Sequence, residues 1–382
     1  MVKLLGKTWL KLKFMKIKYN YLPQEFADVE AVIADWRALI KTTDFTLGAY
    51  VDAFETNFKK LINIRHCIST NNGTDALILS LKSLGIGAGD EVISVANTFY
   101  ATVGAIVAVG ATPVLIDCDE RFQIDVSKIE ENITPKTKCV VPVHWGGASP
   151  DMDAIVAICK KHKLTIVEDA CMGIGASING KAAGTFGDVN AFSMHPLKSL
   201  NAMGDGGIVV TEHDDAATWM KKYRNHGMID RDHIEFWGVN MRMQPLQAIV
   251  GSHGLDRLAN TIALRNRNAR LLDAGLSELA GHVHVPKRME GHVETFALYM
   301  ALFENRDALK NHLIKKGIEV KIHYPIPLHK QEAAKRNCRF NKNELGNADY
   351  QADRLITLPV HQFLNPEHIE YTVNTIRNFY RT

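Results

Sequence analysis

Between residues 65 and 211 the chain alternates short, almost unbroken apolar runs with segments whose apolar residues recur at helical spacing. RHCIST (65–70), EVISV (91–95), TPVLIDC (112–118), CVVPVH (139–144), LTIVEDA (164–170), DVNAFSM (188–194) and GIVVT (207–211) read as buried strands. TDALILSLKSLG (74–85), the small apolar stretch 100–110 and residues 151–162 read as helices between them. Strands that are apolar throughout and separated by helices predict an α/β fold, a mostly parallel sheet covered on both faces. A helix over 214–226 ends at the turn Asn225-His226-Gly227, and a long helical region follows from about Gln244 to Leu279.

The texture then changes. ETFALYMALF (294–303) alternates like a strand with one wet face, LKNHLIKKG (309–317) is a helix stopped by Gly317, and EVKIHYP (319–325) reads as a second strand. A final helix runs over roughly 366–381. The expected organisation is a basic N-terminal extension (1–20), a large α/β domain (21–260) and a smaller C-terminal α+β domain (261–382).

Composition narrows the classes. With 382 residues, 46% of them hydrophobic and 23% charged, the chain has ample material for a globular core. A formal net charge of +3 gives no case for nucleic acid. No run approaches the ~20 apolar residues of a membrane span. The start, MVKLLGKTWLKLKFMKIK, has lysines in every apolar stretch and no small-residue cleavage site after it, which argues against a signal peptide. Met15 is a candidate natural start, and a membrane-surface helix is the alternative reading of the segment before it. Six cysteines without a CxxC pair predict buried free thiols and a cytoplasmic protein. Sixteen histidines without HExxH spacing predict no metal site.

Ligands of open parallel sheets sit at the carboxyl ends of the strands, so the residues after each strand are the candidates for chemistry. After RHCIST, Asn71-Asn72-Gly73-Thr74-Asp75 opens a helix whose free N–H groups would suit a phosphate; a merely well-capped helix would look the same. After EVISV, Phe99 could lie against a heteroaromatic ring or fill the core. LTIVEDA closes on Glu168-Asp169, and a carboxylate at the end of a buried strand needs a partner: a pyridinium nitrogen, a structural cation or a helix N-terminus. DVNAFSM leads to Ser193, His195 and Lys198, where a desolvated lysine could form an imine with a cofactor aldehyde. A phosphate cradle, a stacking ring, a carboxylate and a lysine in this order describe a pyridoxal phosphate site. No GxGxxG follows a strand, which argues against a dinucleotide oxidoreductase.

These segments resemble the DegT-type sugar aminotransferases, a branch of the fold-type-I pyridoxal phosphate enzymes. LGAYVDAFE, NNGTDALILSL, DEVISVANTFYAT, ATPVLIDCD, PVHWGGASPDMDAI, IVEDACMGIGA, GDVNAFSMHPLKSLNAMGDGGIVVT, RNHGM, GVNMRMQPLQAIV and HYPIPLHKQ follow in family order. The resemblance implies Lys198 as the imine lysine, Asp169 as partner of the ring nitrogen and Phe99 as the stacking aromatic. It implies Gly73, Thr74 and Ser193 at the phosphate, and Asn240 reaching the phosphate of a neighbouring subunit in a homodimer. His195, Arg242, Tyr324 and His329 are the candidates near the substrate. Met172 stands where the family often has Gln, so one polar contact at the cofactor is replaced by a thioether.

The implied reaction moves an amino group from glutamate or glutamine to a nucleotide-linked keto-sugar, with the cofactor cycling through pyridoxamine phosphate. GDGG at 204–207 resembles the branch acting at C3, with C4 as the alternative. A keto-cyclitol aminotransferase, a pyridoxamine-dependent dehydratase and a non-catalytic cofactor-binding regulator are the competing readings. The dehydratase branch has a histidine in place of Lys198.

Overall fold

The computed structural model describes residues 14–381. Its main sheet has seven strands: β1 (His66–Thr70), β2 (Glu91–Val95), β3 (Thr112–Ile116), β4 (Thr137–Val141), β5 (Thr165–Ile166), β6 (Val189–Ser193) and β7 (Gly207–Thr211). The spatial order is β3-β2-β4-β5, then β6-β7-β1. The two groups are joined by single parallel bridges, Val143 to Asp169 and Asp169 to Ala191. Only β7 runs against the rest, pairing antiparallel with both β6 and β1. The sheet is therefore mostly parallel, as its unbroken apolar strands predict; β2, β6 and β7 are buried at every position.

Helices cover both faces. The elements are α1 (Glu30–Thr42), α2 (Ala49–Ile62), α3 (Gly73–Ser83), α4 (Tyr100–Ala108), α5 (Met152–His162), α6 (Asp214–Tyr223) and α7 (Pro245–Ser277). Val51, Phe54, Phe58 and Ile62 recur at helical spacing along α2 and pack with Phe192 and Met194 on one face of the sheet. α7 is continuous through residue 260. Its first half packs with that cluster through Ala248, Leu258 and Ile262, and its second half with a different core through Ala269, Leu272 and Leu276.

That second core lies on an antiparallel sheet, β8 (Val283–His284), β9 (Tyr299–Phe303) and β10 (Leu355–Leu358), with β9 in the centre. Helices α8 (Arg306–Lys315), α9 (Gly346–Arg354) and α10 (Pro366–Arg381) surround it. The sequence predicts a wet face for β9, and the structure corrects this: all five residues are buried. The alternation is real but separates two cores. Met300 and Leu302 point to the cluster of the main sheet, whereas Tyr299, Ala301 and Phe303 point to the C-terminal one.

EVKIHYP is also corrected. Among the described residues its one ladder contact is the pair Lys321–Thr357, after which the chain leaves the sheet and brings His323 and Tyr324 to the cavity described below. Within residues 14–20, Ile17 is buried in the C-terminal core and bridges Ile318, and Tyr19 lines the cavity described below. Residues 1–13, which carry most of the basic extension and its alternative reading as a surface helix, lie outside the described residues.

All six cysteines are free and four are buried. Among the described residues no helix is long and apolar enough to cross a membrane, and no cluster of side chains could hold a metal ion.

Candidate active site

A cavity of about 750 Å³ opens at the carboxyl ends of the main-sheet strands. Gly73, Thr74, Phe99, Asp169, Met172, Ser193, His195, Lys198 and Tyr324 all line it. Each comes from the turn after a strand or from the segment packed against it, as the topology of an open parallel sheet dictates.

The phosphate candidate is the start of α3. Asn72 caps it, its Oδ1 accepting from Asp75 N at 2.8 Å. The N–H groups of Gly73 and Thr74 lie in the first turn, where a helix has no acceptors of its own. Gly73 is required sterically: a Cβ there would lie 2.7 Å from Ser193 Cβ and 3.2 Å from Cys171 Sγ. Ser193 Oγ, which accepts from His195 N at 3.3 Å, faces the same spot.

The two adjacent carboxylates divide their tasks. Glu168 has no exposure and is saturated. It accepts from Gly184 N (2.8 Å), Phe186 N (2.6 Å) and Gly187 N (2.7 Å) and contacts His144 Nε2 (2.7 Å), so it ties the 184–187 loop to the sheet. Asp169 points the other way, into the cavity, and is 5% exposed. Its Oδ2 accepts from Thr102 Oγ1 at 2.6 Å and its Oδ1 from Cys171 N at 3.2 Å. Neither donor is charged, and Asp169 makes no ion pair among the described residues. A buried carboxylate left without a cation is costly, so the site is built for a cationic ligand atom.

Lys198 sits in a loop held at its base by Met194 N to Gly206 O (2.8 Å) and Ala202 N to Met194 O (3.0 Å). Lys198 N donates to His195 O, and Tyr21 Oη donates to Lys198 O at 3.2 Å. Burial pushes the Nζ amine below the usual lysine range, against the opposing pull of Cys171 and the Asp169 carboxylate. That favours the nucleophilic, neutral amine. Burial, then the charge of Lys198, lowers His195 as well.

Phe99, Tyr100, Tyr324 and the fully buried Trp145 form an aromatic group along the cavity: between ring centres, Phe99 lies 4.1 Å from Tyr100 and 6.0 Å from Tyr324, and Trp145 5.9 Å from Tyr324. Met172 lines the cavity with its side chain while its carbonyl accepts from Thr295 Oγ1 at 2.7 Å.

Three candidates lie outside the cavity of a single chain. Asn240 is exposed on the segment that pairs with Asn225. Arg242 Nη1 donates to Asn225 Oδ1 at 2.6 Å. His329 is buried against Asp349, 3.0 Å from its Oδ1, and packs edge-on to Phe340, which is a structural placement. Conversely, sequence reasoning missed Tyr19, Tyr21, Arg265, His323 and His361, which form the wall facing the sheet. One signal was available: Leu258, Ile262, Arg265, Ala269, Leu272 and Leu276 form a single buried stripe of α7, and Arg265 is the charge on it.

Residues 27–377 match the DegT/DnrJ/EryC1/StrS aminotransferase family. The chain is 36% identical over 345 residues to a pleiotropic regulatory protein of Geobacillus stearothermophilus, covering 90% of this chain and 92% of the relative. It is 37% identical over 344 residues to a UDP-N-acetyl-3-dehydro-alpha-D-glucosamine 3-aminotransferase of Acidithiobacillus ferrooxidans, covering 89% and 91%. The crystal structure of Streptomyces venezuelae DesV in complex with a ketimine intermediate superposes with a TM-score of 0.93 at 31% identity, over 96% of this chain and 99% of that one. Other solved relatives are recorded in forms carrying pyridoxal phosphate or pyridoxamine phosphate. The chain belongs to the DegT/DnrJ/EryC1/StrS family of aminotransferases.

Proposed function

We propose that this enzyme uses pyridoxal phosphate to move an amino group from glutamate or glutamine to a nucleotide-linked keto-sugar, at C3. The observation that carries the reading is the pairing, in one cavity, of a desolvated Lys198 with a buried Asp169 that has no cation of its own. The residues present fit the cofactor. The α3 start with Gly73, Thr74 and Ser193 would take its phosphate, Asp169 its ring nitrogen, and the Phe99 group its ring face. When bound, the cofactor supplies an electron sink and an aldehyde that carries the amino group between substrates.

The chain's own residues do the rest. Asp169, fixed by Thr102, would keep a proton on the ring nitrogen through its charge. Lys198 Nζ would take the proton from the donor's α-carbon as base and hand it on as acid. The donor leaves as a 2-oxo acid, and the keto-sugar then leaves as an amino-sugar by the reverse steps. A cavity of about 750 Å³ has room for a cofactor and a sugar together.

The C3 reading rests on Asp205 of the GDGG turn, which lines the cavity, and on the 3-amino chemistry in the name of the Acidithiobacillus relative. A homodimer is part of the proposal. Trp237 (87% exposed), Ile229, Ile234 and Val239 leave an apolar surface around Asn240, and Tyr100 (59% exposed) leaves the cavity mouth open. A second copy would cover both and bring Asn240 to the neighbouring phosphate.

The test is direct. Borohydride treatment of the protein loaded with pyridoxal phosphate should fix the cofactor on Lys198, read by mass spectrometry. Lys198→Ala should bind the cofactor without that link and lose turnover by more than ~10³-fold. A panel of nucleotide-linked 3-keto and 4-keto hexoses then decides the position. Cofactor binding with no turnover on any of them would move the chain to the regulatory reading that the Geobacillus relative's name suggests.

A further inference from the structure

Positive charge is placed unevenly along the chain. The first 24 residues hold six lysines (Lys3, Lys7, Lys11, Lys13, Lys16 and Lys18) and no acidic residue, Glu25 being the first. The whole chain carries only +3, so the part after residue 24 is net acidic. Such an asymmetry marks a surface that meets a polyanion. The last part of this segment lies on the folded surface. Residues 14–18 run parallel to 317–319: Ile17 N donates to Gly317 O at 2.8 Å, and Glu319 N donates to Ile17 O at 2.9 Å. Ile17 is buried, while Lys16 and Lys18 on either side of it are exposed. The adjoining end of α8 adds exposed Lys315 and Lys316 and half-exposed Ile314. Phe14, whose ring lies against Gly317, is 65% exposed. Lys16, Lys18, Lys315 and Lys316 make no ion pair among the described residues, unlike Lys128, Lys161, Lys222, Lys330 and Lys335. The carboxylate on this strip, Glu319, accepts from Tyr19 N at 3.0 Å.

The sequence before residue 14 continues the same mixture. At a period of 3.6 residues, Val2, Leu5, Trp9 and Leu12 fall on one side and Lys3, Lys7 and Lys11 on the other. Leucines and a tryptophan opposite lysines suit the interface of a bilayer, with the apolar side among acyl chains and the lysines at anionic headgroups. A nucleic acid would engage the lysines alone and leave the apolar side in water. Phe14 and Ile314 extend the apolar side onto the folded surface, and the four unpaired lysines extend the basic side. The charge therefore does not end where the fold begins.

We propose that residues 1–18, together with residues 314–316 at the end of α8, form a docking surface for an anionic membrane. The enzyme is held on the bilayer face and does not cross it. This does not depend on the aminotransferase reading. In the test, the full chain is sedimented with vesicles of phosphatidylglycerol and phosphatidylcholine in equal parts, and with vesicles of phosphatidylcholine alone. It should sediment with the first and not the second, and be released in about 1 M salt, where the screening length is about 3 Å. Each lysine near an anionic surface is worth about fivefold in binding, so Lys315→Gln combined with Lys316→Gln should weaken it at least tenfold. Lys7→Gln combined with Lys11→Gln should do the same, and Trp9→Ser should weaken binding while leaving its salt dependence in place. All three variants should keep the turnover of the parent. Equal binding to both vesicles, or to neither, overturns the proposal. Binding lost only in the variants before residue 14 overturns the part played by α8. Equally tight binding to a DNA duplex that Trp9→Ser does not weaken overturns it in favour of a general polyanion-binding segment.

Discussion

On the sheet side of the cavity, Asp169, Ser193 and the Asn72–Gly73 helix start are each placed by the end of a strand. On the facing side, Tyr21, Arg265 and His361 come from an N-terminal segment, the middle of a long helix and the stretch after β10. The first wall is held by backbone ladders, so the side chains at its edge are free for a ligand. The second wall is held by the side chains themselves: Tyr21 to Lys198 O, Arg265 to Phe296 O, His361 Nε2 to Lys18 O at 3.0 Å. A change in the first wall should therefore alter chemistry at constant stability. A change in the second should alter binding and stability together.

The largest expected break in that contrast is at Asp169. Asp169→Asn keeps the shape and the Thr102 contact but removes the charge that faces the cavity. It should lower kcat by at least ~10²-fold, or about 2.7 kcal/mol in the transition state, with a melting temperature near that of the parent. Steady-state kinetics beside a thermal scan checks this; normal turnover would remove Asp169 from the chemistry.

Its neighbour sharpens the same comparison. Glu168→Ala removes the acceptor of three backbone N–H groups and the partner of buried His144. With three backbone N–H groups and an imidazole left without their acceptor, at about 1–3 kcal/mol for each unsatisfied group, the expected loss is at least about 3 kcal/mol of stability. The folded fraction, measured by active-site titration of cofactor binding, should keep most of its kcat. Two carboxylates adjacent in sequence would then separate cleanly into a catalytic one and a structural one.

The sheet-side wall was legible in the chain because unbroken apolar strands fix where the strands end, and the residues just beyond them are the ones a ligand meets. Gly73, Asp169, Ser193 and Lys198 could be read in that way. The strand pattern by itself does not divide Glu168 from Asp169, since the choice of face depends on a single-residue bridge between β4 and β6; only the family resemblance singled out Asp169. The facing wall was not legible. Tyr21 lies 244 residues from Arg265 along the chain and His361 comes from a third segment, with no local pattern to announce that they meet. His329 misled for the complementary reason: its motif is local, but its ring is spent on Asp349. Only the charge on the α7 stripe hinted at the second wall.

Two histidines of that wall give the smallest effect and the most specific one. Burial, followed by the charges of Lys198 and Lys321, holds His323 down to about 4, and burial likewise holds His361 down to about 4, with Arg265 contributing. In the unfolded chain both take up a proton near ~6.5, the ordinary histidine value. Stability from keeping them neutral is thus complete above that pH and drains away as the pH falls toward 4, by up to about 3 kcal/mol for each ring. The melting temperature should fall along this acid limb. His323→Gln and His361→Gln should each flatten it, with little change at pH 8. His361 packs 5.2 Å from the Tyr21 ring, so its protonation also places a second positive charge beside Arg265. If both variants follow the parent between pH 6.5 and 4, the facing wall is held by packing alone and its polar contacts are incidental.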